Sequence, residues 1–161
     1  MPKARKQMLA ARPTKKKPRV FICYVKPDER KAVGLYYRLL TVGADPWVDK
    51  RRLELGDDWK HEIKKAVAEA DAFVVCLRPG FNETGFRQKE VKMALDALQV
   101  RPPGRGFIIP YIVEPCELPD WCEAIHAGPD LTKRTKFEDL RRAVEKHCGV
   151  KLLKAKREIR K

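Results

Sequence analysis

Residues Ala72-Phe73-Val74-Val75-Cys76-Leu77 (AFVVCL) are apolar at every position. A strand with one solvated face alternates apolar and polar residues, whereas an uninterrupted apolar run bounded by other signals fits a strand that is buried on both faces. Such strands are typical of parallel sheets with helices packed on either side. The stretch therefore predicts a central strand of an α/β domain.

Strand and helix patterns alternate on both sides of this run. Apolar, β-rich segments lie at Arg19–Val25, Pro46–Val48 and Phe107–Val113, and His126–Leu131 is a short candidate edge strand. Stripes with helical spacing are formed by Val33, Leu35, Tyr36, Leu39 and Leu40, by Trp59, Ile63, Ala66, Val67 and Ala70, by Val91, Ala94, Leu95 and Leu98, and by Phe137, Leu140, Ala143 and Val144. This alternation predicts a flavodoxin-like, doubly wound, five-stranded parallel sheet of order 2-1-3-4-5, with helices on both faces.

Local signals mark the ends of several predicted elements. Pro27-Asp28-Glu29 suits a helix start, and Gly43 is expected to stop that helix. Either Asp57 or Asp58 is expected to cap the next helix through its side-chain oxygen. Pro110 conflicts with a central position for its strand, because proline has no N–H to donate to a neighbouring strand.

The formal net charge of +14 resides at the two ends of the chain. Residues 1–19 contain eight Lys and Arg and no acid, and residues 151–161 contain six with one acid, so the ends carry +13. We therefore divide the chain into a basic flexible tail (1–18), one domain (19–149) and a basic C-terminal tail (150–161). A nearly neutral globule argues against nucleic-acid binding by the fold itself. Only the tails would contact a polyanion, unless they serve simply to keep the chain in solution.

The cysteines, the histidines and the glycine motifs indicate the cellular compartment and the kinds of cofactor site that the chain lacks. The five cysteines are odd in number, have no CxxC spacing and occur without a secretory signal, which indicates a reducing, cytoplasmic location. No stretch approaches the roughly 18 apolar residues that a membrane span needs. The three histidines form no HxxxH pair, so we expect no metal site. Neither a P-loop nor a dinucleotide-binding glycine motif follows a strand.

The predicted topology directs attention to the chain that follows the third strand. In a sheet of this order, ligands bind beyond the carboxyl ends of the first and third strands. The helix predicted there carries Phe86 and, four residues later, Glu90, so the two share a face. An aromatic ring and a carboxylate in one cleft would stack a flat ring and stabilise a developing cation. The alternative is a solvated helix carboxylate, which the neighbouring Lys89 and Lys92 favour.

Two further features of the sequence suit either a binding role or a purely structural one. The loop Asp49–Asp58 is dense in both charge signs and leaves the predicted second strand, which suits either a binding loop or a solvent loop that caps a helix. Trp47 and Trp59 would serve as ligand platforms, but tryptophans beside apolar positions are more often part of a core.

Six short motifs follow one another over roughly residues 19–148. They are Phe21-Ile22-Cys23-Tyr24, Pro27-Asp28-Glu29, Trp47-Val48-Asp49, Leu53-Glu54-Leu55-Gly56 with Asp58-Trp59, Asp71–Leu77, and Gly85-Phe86-Arg87-Gln88-Lys89-Glu90. In this order and spacing they resemble a Toll/interleukin-1 receptor (TIR) domain, in particular the bacterial kind. No single motif is specific, so the resemblance depends on all six together.

The resemblance implies an activity and a set of site residues. Many TIR domains cleave NAD+ at the nicotinamide–ribose bond, so NAD+ would be a substrate and no separate cofactor is expected. Matched residue by residue, Glu90 would be the catalytic carboxylate and Phe86 its aromatic partner. Tyr24, Asp49 and Glu54 match positions that line the same pocket in the family.

The resemblance also implies partners. The expected protein is an NAD+ nucleosidase that forms ADP-ribose or a cyclic product, is activated by self-association with other TIR domains, and acts in defence, including antiviral defence, or in cell-death signalling. A separate sensor or effector protein would supply the trigger. The alternative is a non-catalytic signalling scaffold that acts through TIR–TIR contacts alone.

Overall fold

The computed structural model describes residues 17–48, 56, 58–81, 96, 108–119 and 133–155. Its strands are β1 (Arg19–Cys23), β2 (Asp45–Trp47), β3 (Ala72–Leu77) and β4 (Ile108–Ile112). Its helices are α1 (Glu29–Thr41), which follows a 3-10 turn at Lys26–Asp28, then α2 (Trp59–Glu69) and α3 (Phe137–Cys148). The predicted α/β class is confirmed.

The described strands form one parallel sheet in the order β2-β1-β3-β4. β1 lies between β2 and β3, with Phe21 opposite Trp47 on one side and Phe73 on the other. β3 in turn pairs with β4, with Phe73 opposite Ile108. This is the predicted order for the first four strands. The candidate fifth strand, His126–Leu131, lies outside the described residues.

Helices cover both faces of the sheet because β3 is apolar on both faces. Every residue of β3 is 1% exposed or less. Val74 and Cys76 belong to a core cluster shared with α1 and α3, whereas Phe73, Val75 and Leu77 belong to a second cluster shared with α2. The predicted two-sided packing is therefore confirmed.

An aromatic stack joins three neighbouring strands on the α2 side. The Phe21 ring lies 4.8 Å from the Trp47 ring and 5.0 Å from the Phe73 ring, and both pairs are nearly parallel. Trp47 is thus a partly buried core residue, as its sequence context favours. The side chain of Trp59 lies outside the described residues.

Most of the predicted helix boundaries are found. Gly43 has a φ of 95° and donates its N–H to the Leu40 carbonyl at 3.1 Å, a left-handed conformation that favours glycine and ends α1. Asp58 is the α2 cap, since its side chain accepts from the His61 N–H at 3.4 Å. Gly149 ends α3 with a φ of 65°.

The prediction that Leu40 belongs to the buried stripe of α1 is wrong. Leu40 was expected to face the core, but it is 41% exposed, and Tyr37 beside it is 49% exposed. The buried stripe of α1 is Ala32, Leu35 and Leu39. Each helical residue turns about 100° from the one before, so Leu40 lies outside a stripe centred on Leu39.

Pro110 lies within β4, and the direction of its backbone explains why it is tolerated. Ile112 donates its N–H to the Thr135 hydroxyl at 2.8 Å, and its carbonyl accepts from the Thr135 N–H at 2.9 Å. The polar groups of Ile112 therefore point away from β3. Residues two apart in a strand have their backbone groups on the same side, so an N–H at position 110 would also point away from β3, and proline there costs no hydrogen bond between β3 and β4.

The chain continues to pack beyond Gly149. The Leu153 N–H donates to the Val42 carbonyl at 2.9 Å, and the Leu152 N–H donates to the Glu145 carboxylate at 2.9 Å. Leu152 and Ala155 also pack against the core cluster of α1 and α3. Residues 150–155 thus lie beside the C-terminal end of α1.

Truncating the central strand should be costly. Val74→Ala is expected to lower the free energy of unfolding by about 2 kcal/mol, because it removes two methyl groups from a fully buried site and leaves a small cavity. Urea denaturation followed by circular dichroism measures the loss. Leu153→Ala, at a side chain 67% exposed, is the control and should stay within about 0.5 kcal/mol of wild type. Equal losses at the two positions would contradict this placement of β3.

Candidate functional site

The carboxyl ends of β1, β3 and β4 lie at one edge of the sheet because all three strands are parallel. β2 flanks β1 on one side and β3 flanks it on the other, so the strand order reverses between β1 and β3. In open α/β sheets, ligands bind beyond the carboxyl ends of the strands at such a reversal. Tyr24 directly follows β1, and Arg78 directly follows β3.

Four charged side chains from three segments form an alternating network at this edge. Asp28 Oδ1 lies 3.3 Å from an Arg78 nitrogen, and the other Arg78 terminal nitrogen lies 3.5 Å from Glu114 Oε2. Lys31 Nζ closes the ring, at 3.6 Å from Glu114 Oε1 and 3.9 Å from Asp28 Oδ1. The network joins the segments that follow β1, β3 and β4, and its formal charge is zero.

Asp28 is the unusual member of this network. It is 1% exposed, and within the described part of the chain its Oδ2 has no hydrogen-bond donor. Burial raises the pKa of this carboxyl, while the charges of Arg78 and then Lys31 lower the same pKa and that of Glu114 raises it. A buried acceptor with unused capacity is costly, so the site can accept a proton or one more donor.

The thiol beneath the network is inert. Cys76 is 1% exposed, and burial, with a smaller contribution from the Asp28 charge, raises the pKa of its thiol to about 12. Nucleophilic cysteines need a lowered pKa, because the thiolate is the reactive form. Cys76 is accordingly a small apolar core residue, as its sequence context predicts.

An open cleft of about 310 Å³ adjoins Arg78. One wall is the segment Leu77–Phe81, which leaves β3, and the other contains Cys116, Glu117 and Pro119, which follow β4. The cleft opens at the carboxyl edge of the sheet. Of the described residues that line it, Glu117 is an acid and Arg78 a base, and the others are apolar or uncharged.

The residues predicted for the site are described only in part. Tyr24 lies at the carboxyl end of β1, is 2% exposed and packs in the core cluster with α1 and α3. Asp49, Glu54, Phe86 and Glu90 lie outside the described residues, so their predicted roles stay predictions. Among the described residues, no group of three His, Cys, Asp or Glu is placed to hold a metal ion.

The sequence analysis did not single out Arg78, Lys31 or Glu114. Arg78 and Glu114 each follow a strand that is apolar almost throughout, and a charged residue directly after such a strand is a usable signal. The ion pair between Asp28 and Arg78 could not be predicted from local sequence patterns, because the two residues are 50 positions apart in the chain.

The comparisons identify related proteins. Residues 20–146 match the family model described as a TIR domain. The TIR domain of the Toll-related receptor TRR-2 from Hydra magnipapillata is similar at 23% identity with a TM-score of 0.56, over 66% of this chain and 79% of that one. The TIR domains of the activated Roq1 resistosome, which recognises the pathogen effector XopQ, are similar at 20% identity with a TM-score of 0.52, over 60% of this chain and 57% of that one. No match was found among curated proteins. None of the described helices is long and apolar enough to cross a membrane.

The raised pKa of Asp28 has a testable consequence for stability. Its ordinary pKa is 3.8, and the folded state binds this proton more tightly than the unfolded state does. The contribution of Asp28 to stability is therefore fully present below pH 3.8 and is lost as the pH rises through the higher folded-state pKa. The free energy of unfolding of wild type minus that of Asp28→Asn should fall as the pH rises.

Chemical denaturation of both proteins from about pH 3 to about pH 8 measures this difference. Near-ultraviolet circular dichroism at each pH verifies that both start from the native state. A constant difference would show that attraction by Arg78 and Lys31 balances the effect of burial on the pKa of Asp28, and a difference that rises with pH would show that it outweighs burial.

Proposed function

The chain belongs to the TIR domain family, and from this membership we propose that it is a cytoplasmic NAD+ nucleosidase that becomes active on self-association. The observation that carries the proposal is a position in the fold. β3 ends at the point where the strand order reverses, and the chain leaving it contains Phe86 and Glu90 at the spacing of NAD-cleaving relatives. We assign the catalytic role to Glu90 and the role of stacking partner to Phe86.

The chemistry needs one well-placed carboxylate. The bond between the nicotinamide nitrogen and ribose C1′ breaks, its electron pair stays on the nitrogen, and neutral nicotinamide leaves. The ribosyl oxocarbenium ion that remains is stabilised by the Glu90 carboxylate, or bonds to it briefly, as in glycoside cleavage. Water then adds to C1′ and releases a proton, which gives ADP-ribose. Attack by an internal nucleophile of the adenine or ribose gives a cyclic product instead.

The described residues support the proposal through position. Arg78 ties the end of β3 to Asp28 on one side and to Glu114 on the other. This holds the start of the segment that leads to Phe86 and Glu90. Tyr24 follows β1 at the same edge of the sheet, and the cleft beside Arg78 provides an opening there. The family resemblance adds Asp49 and Glu54, which follow β2 in the sequence, to the proposed pocket.

Replacing the proposed catalytic carboxylate should abolish turnover. Glu90→Gln keeps the size of the side chain and removes its charge, so nicotinamide release should fall by about 100-fold or more. Chromatography of NAD+ and its products measures the loss at high protein concentration, with and without a crowding agent. The ratio of linear to cyclic product separates hydrolysis from cyclisation.

Glu62→Gln is the matched control, since it removes a carboxylate from the first turn of α2. It should leave turnover unchanged. Turnover by Glu90→Gln equal to that of the control would remove Glu90 from the mechanism. The absence of turnover in wild type, with assembly confirmed by light scattering, would instead favour the scaffold function.

The scaffold function is the second candidate, because an apolar surface favours protein contact. Tyr37, Leu40 and Leu153 are the large apolar side chains most exposed among the described residues. Tyr37 and Leu40 are three positions apart on α1, and the Leu153 backbone bonds to Val42 just beyond that helix. Such a surface suits TIR–TIR contact, whether it activates NAD+ cleavage or acts alone in defence or cell-death signalling. A separate sensor or effector protein would then supply the trigger for assembly. If the chain also binds nucleic acid, the basic tails are the parts suited to it.

Polar substitution of this surface should weaken self-association. The triple variant Tyr37→Ser, Leu40→Ser, Leu153→Ser is expected to remain monomeric at concentrations where wild type associates, because it removes apolar area from the contact. Light scattering coupled to size-exclusion chromatography measures the mass over a concentration series. Lys64→Gln with Lys65→Gln, on the exposed side of α2, is the control and should associate like wild type. Equal masses for wild type and the triple variant would exclude this surface.

A further inference from the structure

A second cleft, of about 260 Å³, lies between α1 and the segment that precedes α3. Its α1 wall is formed by residues on one face of the helix, and its opposite wall contains Arg134 and Thr135. Tyr111 of β4 also lines it. This cleft is separate from the one beside Arg78, with which it shares no lining residue.

Cations line both walls. Lys31 and Arg38 are seven positions apart on α1, which places them two turns apart on one face, and Arg134 lies across the cleft. Gly34 lies between the two α1 cations, and a Cβ added to it would meet no atom within 4 Å. The absence of a side chain there keeps the α1 wall open between the two charges.

Two of these cations are not neutralised. Lys31 is shared by Asp28 and Glu114, but among the described residues neither Arg38 nor Arg134 is in an ion pair. The Arg38 guanidinium lies 4.2 Å from the Phe137 ring centre, which holds the group in place without cancelling its charge. The described residues thus leave two guanidiniums in the cleft without an acidic partner, in a domain whose own charge is close to zero.

The wall opposite α1 is held in place. Thr135 bonds to Ile112 twice, through its N–H at 2.9 Å and through its hydroxyl at 2.8 Å. Arg134 is adjacent to this anchor, so its backbone position is fixed relative to β4. A site with both walls fixed loses less conformational entropy when a ligand binds than one formed by free surface side chains.

We propose that this cleft is a binding site for a small phosphate-bearing molecule. The planar guanidiniums of Arg38 and Arg134 match phosphate oxygens in geometry and charge, and the Tyr111 hydroxyl is a further donor. None of the described residues that line the cleft carries a carboxylate that would repel an anion. The site does not depend on Glu90 or on NAD+ cleavage, and it stands or falls separately from the proposed activity.

Calorimetric titration of the full chain at about physiological salt tests the proposal, with inorganic pyrophosphate and adenosine monophosphate as probes. Wild type should bind at one saturable site. Arg38→Gln with Arg134→Gln should lower the affinity by at least roughly tenfold, since two charge-assisted contacts are lost. Arg134→Gln alone should give a smaller loss, and because this side chain is exposed, the variant should fold normally.

Lys64→Gln with Lys65→Gln is the matched control. It removes the same charge from α2, on the opposite face of the sheet, and keeps both basic ends of the chain. Its affinity should equal that of wild type. Tighter binding of pyrophosphate would identify a polyphosphate site, and tighter binding of the monophosphate a nucleotide site. Equal affinities in the wild type, the arginine variant and the lysine variant would assign binding to the basic ends and overturn the proposal, as would the absence of saturable binding of either probe.

Discussion

The apolar character of β3 on both of its faces is the constraint on which the other elements depend. A strand that pairs on both edges and carries no polar side chain is stable only if both faces are removed from water. α1 and α3 cover one face and α2 covers the other, and the aromatic stack around Phe21 completes the second layer. The layers against β3 are therefore apolar, and the charged network of Asp28, Lys31, Arg78 and Glu114 lies at the carboxyl edge of the sheet.

Two acidic and two basic side chains meet at the carboxyl edge of the sheet, and their formal charges cancel. Placing Asp28 out of water costs free energy, and Arg78 and Lys31 recover part of that cost without filling the second carboxylate oxygen. Such a network contributes little to stability compared with the core, but it fixes the relative positions of three chain segments. Precise placement of the segment that leaves β3 matters more for a single-carboxylate mechanism than the strength of any one of these ion pairs.

The sequence predicted what depends on local pattern and missed what depends on distant contacts. The strands, the Asp58 cap and the glycine that ends α1 all follow from residues within a few positions of one another. Leu40 was placed in the core because a stripe of helical spacing does not define its own edges. The partnership of Asp28 with Arg78 joins residues 50 positions apart, and the packing of Leu152 follows from the position of α1, so neither was accessible to local reasoning. For Glu90 and Phe86 the sequence resemblance supplies the assignment.

The charge of the chain has two physically different parts. The lysines and arginines of the two ends attract any anion through their summed charge, and such an attraction falls steeply with salt. The Arg38 guanidinium instead packs on the Phe137 ring, and the backbone at Arg134 is held by the adjacent Thr135 anchor, so both arginines line one cleft from fixed backbone positions. Geometry of that kind selects the shape of an anion as well as its charge. An overall net charge therefore says little about recognition by this domain, whereas two guanidiniums with no acidic partner among the described residues carry specific information.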